Sequence, residues 1–161
     1  MNVIFLDIDG VLVTWNTVGV LDKETRSCAL QETCVHMLNK LARITESKIV
    51  LSSTWRFHDW DRNMEHFKKF KMDPLPFDKT GMDPSGIRGK EIKKWLDEHP
   101  EVKNFVILDD DSDMEELMDH LVHTNMETGL TSDHCDKALE ILGFIKENLL
   151  PQSNKNFLRW W

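Results

Sequence analysis

Three cysteines, Cys28, Cys34 and Cys135, are all the chain has, and no two are close in sequence. They indicate neither a disulfide framework nor a zinc knuckle. The seven histidines are scattered without an H-E-x-x-H spacing, so no zinc-hydrolase signature is present. No apolar run approaches the ~20 residues of a membrane helix, and no membrane partner is expected. The first residues read as a core strand, not a secretory leader, which makes a reducing cytoplasm the expected location. Internal repeats and low-complexity linkers are absent, and Pro74, Pro76 and Pro84 mark a loop within the domain. Positive charge is in deficit: 20 Lys and Arg face 28 Asp and Glu, a formal net charge of −8. Such a chain has no general attraction to nucleic acid or to an anionic membrane.

What is there begins with one segment. Val3-Ile4-Phe5-Leu6 is an unbroken apolar run, as expected of a parallel strand buried on both faces. It runs directly into Asp7-Ile8-Asp9-Gly10. Side chains alternate along a strand, so Asp7 and Asp9 are expected on the same side. Two like charges at the end of an apolar strand are costly unless a cation or a proton compensates them. Gly10 allows the backbone to turn sharply there.

Phe105-Val106-Ile107-Leu108 is a second such strand, ending in Asp109-Asp110-Asp111-Ser112-Asp113. Ligands of open parallel sheets bind outside the carboxyl ends of the strands, so both acidic clusters point at one crevice. Their oxygens are the hard ligands that magnesium prefers. A third strand, Lys48-Ile49-Val50-Leu51, delivers the hydroxyls of Ser52-Ser53-Thr54 and then Trp55-Arg56 to the same end. Lys90 opens a helix, where an ammonium is poorly placed against the helix dipole; facing carboxylates or a phosphate would explain it, and solvated surface is the plain alternative.

In this order, Asp7-Ile8-Asp9-Gly10, Ser53, Lys90 and Asp109-Asp110 resemble the four motifs of the haloacid dehalogenase (HAD) superfamily. The resemblance spans roughly residues 3 to 145. Leu51-Ser52-Ser53-Thr54-Trp55-Arg56, Val106 to Asp111 and Thr128-Gly129-Leu130-Thr131 look most like the HAD domains of RNA repair proteins. The resemblance implies a magnesium-dependent phosphatase. Asp7 would be the nucleophile, forming an aspartyl-phosphate, and Asp9 the general acid and then base. Ser53 (or Ser52) would hold phosphoryl oxygens and Lys90 would offset the charge. Mg2+ would sit on Asp7, the Asp9 carbonyl and Asp110, with Asp109 helping directly or through water. Asp113 would brace the metal site or cap the helix that follows it.

The rest of the chain fits an α/β three-layer sandwich with a mainly parallel, Rossmann-like sheet and right-handed crossovers. Residues 1–150 are expected to form a single phosphatase-like domain, with 151–161 an aromatic tail. Val11 to Leu21 is expected as a hairpin flap, Gln31 to Thr45 as the first helix, and Asp61 to Lys71 as the second. A short strand is expected near Phe77, a short helix over Met114–Leu121, and an edge strand over Leu121–Thr124. A last helix, capped by Thr131 or Ser132, is expected to run through Leu142, Ile145 and Leu149 to Pro151.

The intervals between motifs leave no room for a large cap domain, and an open site suits a phosphate on a large molecule. A nucleotide, a nucleic-acid end, 3′ or 5′, or a phosphoprotein is therefore favoured over a sugar phosphate. Thr54, Trp55 and Arg56 are the candidate substrate-binding residues, by base stacking and phosphate pairing; the alternative for Trp55 is core packing. Phe157-Leu158-Arg159-Trp160-Trp161 would be a binding surface if exposed, or the seam of a homodimer. A catalytically weak module binding through this tail is the competing reading.

Overall fold

The computed structural model describes residues 1–144. Its centre is a wholly parallel five-stranded sheet. The strands are β1 (Asn2–Leu6), β2 (Ser47–Leu51), β3 (Asp78–Lys79), β4 (Asn104–Asp109) and β5 (Leu121–His123), in spatial order β3-β2-β1-β4-β5. The strands with unbroken apolar runs occupy the middle. β1 lies between β2 and β4, with Leu6 opposite both Leu51 and Leu108, so Val3 to Leu6 are completely buried.

The period of two sorts these side chains into two cores. Ile4, Leu6, Ile49, Leu51, Val106 and Leu108 pack on α1 (Glu32–Thr45), α2 (Trp60–Lys69) and α4 (Ser132–Ile141). Val3, Phe5, Val50 and Ile107 pack on α3 (Arg88–Asp97) and a 3₁₀ helix, Glu115–His120. The result is the expected three-layer α/β/α arrangement. After β3 the chain returns to the other side of β1, which places the topological switch point between the ends of β1 and β4, where such sheets bind ligands.

Two expectations are corrected. Val11 to Leu21 is not a hairpin. Thr14 carbonyl oxygen accepts from the N–H of both Thr17 and Val18, and Gly19 has a φ of 79°, so this stretch is wound into turns. Antiparallel pairing comes later, at Leu21 opposite Cys28. The last helix, capped by the Thr131 hydroxyl, ends at Ile141 and does not continue through Leu142; the expected run through Ile145 and Leu149 to Pro151 lies outside the described residues. Gly143 follows it in the left-handed region, φ 81°, the common way to stop a helix. The expected tail, the boundary at residue 150 and a tail-mediated dimer lie outside the described residues. No described helix is long and apolar enough to cross a membrane.

Candidate active site

Asp7 extends β1 by one residue, its N–H bonded to the Leu108 carbonyl at 2.9 Å. The chain then folds tightly: Leu12 and Val13 both donate to the Ile8 carbonyl, and Gly10 donates to Val13. Gly10 has a φ of 73°, and a Cβ there would overlap the Asp110 side chain. Glycine is thus what lets the first acidic loop touch the second. One carboxylate oxygen from each of Asp7, Asp109 and Asp110 lies within 4.8 Å of the others.

Asp7 and Asp109 are buried and Asp110 half-buried. Burial is the main cause that pushes the Asp7 carboxyl up to about 6, against the nearby Arg88 guanidinium and a Ser53 hydrogen bond. Burial, reinforced by the Asp7 charge, pushes Asp109 up to about 7. The Asp109 Oδ2 atom is buried with no hydrogen-bond partner. A set of convergent oxygens, one of them orphaned, fits a hard divalent cation. Asp7, Asp109 and Asp110 would hold it; HAD domains typically use Mg2+.

The compensating cation is Arg88. Its Nη1 is 3.6 Å from Asp7 Oδ1 and its Nε 3.9 Å from Asp109 Oδ2, with the side chain 15% exposed. Lys90, the expected cation, points elsewhere: it is 45% exposed and its Nζ lies 3.7 Å from Glu115. The reason is helical periodicity, since residues two apart project about 200° apart. Arg88 is the first residue of α3, and Asp113 fixes it there. The Asp113 carboxylate accepts from Arg88 N–H at 2.8 Å and its carbonyl from Gly89 N–H at 3.0 Å. A Cβ on Gly89 would overlap the Met114 backbone, so glycine permits this approach. Asp113 therefore caps α3, a role the sequence reading had not assigned. The signal available was Gly89 itself, a small residue beside Arg88 at the start of the helix.

Ser52 and Ser53 follow β2 directly, and their N–H groups both bond the Leu6 carbonyl. Ser53 Oγ accepts from Trp55 N–H at 3.4 Å and acts on Asp7 to hold its carboxyl down; Ser52 Oγ is buried without a partner. Thr54 is exposed at the start of a 3₁₀ turn, Thr54–Phe57. The placement of Arg56 corrects its reading as a substrate contact, and Trp55 is mostly buried although it also lines a groove beside Asp9. Trp55, 6% exposed, stacks with Phe67 in the core and offers its indole N–H to Asp9 Oδ2 at 2.9 Å. Arg56, 3% exposed, is spent on a buried ion pair with Glu91 and on the Ser52 carbonyl.

Comparison with curated proteins gives no match. A family model described as the HAD domain in Swiss Army Knife RNA repair proteins matches residues 3–135. With a match over most of its length, the chain belongs to that HAD family.

Proposed function

We propose that the chain is a Mg2+-dependent phosphomonoesterase acting on the terminal phosphate of a nucleotide or nucleic acid. The family supports a phosphatase-type hydrolytic function in general, and its description ties it to RNA repair. The observation that carries the finer reading is the convergence of Asp7, Asp109 and Asp110, with Asp9 beside them on a separate tether, Trp55.

A carboxylate oxygen of Asp7 attacks phosphorus, and the bond from phosphorus to the leaving oxygen breaks. Asp9 donates its proton to that oxygen. Water then attacks the acyl-phosphate, Asp9 takes the proton from the water, and phosphate and free Asp7 are released. Arg88 takes the charge-neutralising role expected of Lys90, with Ser53 and backbone N–H groups around the phosphoryl oxygens. Asp7, Asp109, Asp110 and the Asp9 carbonyl would hold Mg2+, which would supply charge neutralisation at the phosphoryl group.

Asp7→Asn should abolish phosphate release while circular dichroism and Tm report an intact fold, because an amide cannot form the acyl-phosphate. Wild-type turnover should require Mg2+ and disappear with chelator. Full activity in Asp7→Asn, or turnover in excess chelator, would overturn the mechanism.

A further inference from the structure

A groove of about 580 Å³ leads away from Asp9, bordered by Leu21, Arg26, Trp55, His58, Asp59 and Arg62. This is within the ~300–1,000 Å³ of small-molecule sites and far more than a phosphate group occupies. Trp55, whose indole N–H holds Asp9, is among its lining residues. Asp7, Asp110 and Arg88 do not line it. The groove is therefore on the general-acid side of the reacting centre. A general acid must touch the leaving oxygen, so whatever that oxygen belongs to extends into this groove.

Two features define what fits there. Arg26, from the loop closed by the Leu21–Cys28 pairing, and Arg62, from the first turn of α2, both line the groove. Among the described residues neither guanidinium has a carboxylate within 4.0 Å. The nearby acids are engaged elsewhere. Asp22 and Glu24 pair with Lys69, and the Asp59 carboxylate caps α2 by accepting from the Arg62 backbone N–H at 3.0 Å. In a chain of net charge −8, two arginines on one groove with no carboxylate in close ion pairing are able to receive an anion, although Asp9 and Asp59 also line it. Leu21, 52% exposed, adds an apolar wall beside them.

We infer that this groove is a binding site for the phosphodiester adjoining the terminal phosphate of an oligonucleotide, with Arg26 and Arg62 pairing its oxygens and Leu21 against the sugar or base. The inference rests on the phosphomonoesterase reading above and narrows it: the substrate is a strand end of at least two nucleotides, not a mononucleotide.

The test compares dinucleotides bearing a terminal 3′ or 5′ phosphate with the matching mononucleotides, in the full chain with Mg2+. Wild type should prefer the dinucleotide of one polarity at least tenfold in kcat/KM. Arg62→Ala and Arg26→Asn (asparagine tolerates the φ of 60° at this position) should each cut that preference by about tenfold, through KM. In parallel, a fluorescein-labelled dinucleotide phosphate is titrated against Asp7→Asn alone and combined with each arginine substitution. Its affinity should fall about tenfold, and the dependence of that affinity on salt should become shallower as a screened charge contact is lost. No dinucleotide preference in an active wild type, or an unchanged salt slope in both variants, would overturn the groove. If wild type hydrolyses no phosphomonoester, the phosphatase reading fails, and the binding titration alone decides the groove.

Discussion

Arg88 and Trp55 are the two side chains on which the proposed chemistry most depends without either being a reacting group. Arg88 Nη1 is buried without a hydrogen-bond partner although it stands 3.6 Å from Asp7. That is the condition of a donor aimed at charge that develops during reaction. Arg88→Ala should lower kcat by about 10²–10³-fold, whereas Lys90→Ala removes only a half-exposed ion pair with Glu115, a contact worth about 0–1 kcal/mol. Steady-state kinetics on both variants checks this; equal losses would return Lys90 to the site. Trp55→Phe keeps an aromatic ring against Phe67 but removes the indole N–H that orients Asp9. Its kcat should fall more for an alkyl phosphate, whose leaving group needs an acid, than for p-nitrophenyl phosphate, whose leaving group does not. A uniform loss on both substrates would leave Trp55 as packing alone.

At the scale of elements, α3 is the component whose placement matters, because Arg88 is its first residue. It is held at one end by Asp113 and in its first turn by the buried pair Arg56–Glu91, which ties it to the end of β2. Removing one partner of such a pair strands the other charge. Glu91→Gln should therefore cost about 3–5 kcal/mol in urea unfolding, while a double Arg56→Met, Glu91→Leu replacement should cost far less. These same contacts separate what the sequence discloses from what it does not. β1, β2 and β4 and the carboxylates at their ends were legible because an apolar run followed by Asp or Ser is a local pattern. α1 was legible because Val35, Leu38, Leu41 and Ala42 repeat at helical spacing. The choice of Arg88 over Lys90, the burial of Arg56 and the capping by Asp113 were not legible. Each depends on a partner at least 25 residues away; the local period sets Arg88 and Lys90 on different faces of α3 but does not say which face meets that partner. The wound segment after Thr14 is a different case: β-branched residues suggested a strand, and backbone bonds to the Thr14 carbonyl won.

For the molecule as a whole, the site stores a conflict between stability and function that pH and metal should expose. Asp7 and Asp109, with carboxyls raised to about 6 and about 7 by burial, sit at ~3.9 in the unfolded chain. Between these limits the chelated, folded protein holds more protons than the unfolded one. Stability contributed by this pair is therefore present at low pH and is lost as pH rises from about 4 towards 7. Above that window both groups are charged and the folded state carries the cost of burying them side by side, with Arg88 as partial relief. A divalent cation removes that cost but must displace the protons that hold the pair neutral at lower pH, so its affinity rises across the same window. Mg2+ at 100 times its dissociation constant adds about 2.7 kcal/mol, about 5–11 °C in Tm for a chain of this size. Thermal melts at pH 5 and pH 8, each with chelator and with Mg2+, should show that gain at pH 8 and a much smaller one at pH 5. The Asp110→Ala protein should show little gain at either, since one of the three converging carboxylates is then absent. An equal gain at both pH values would mean that the cation binds somewhere other than at the buried pair.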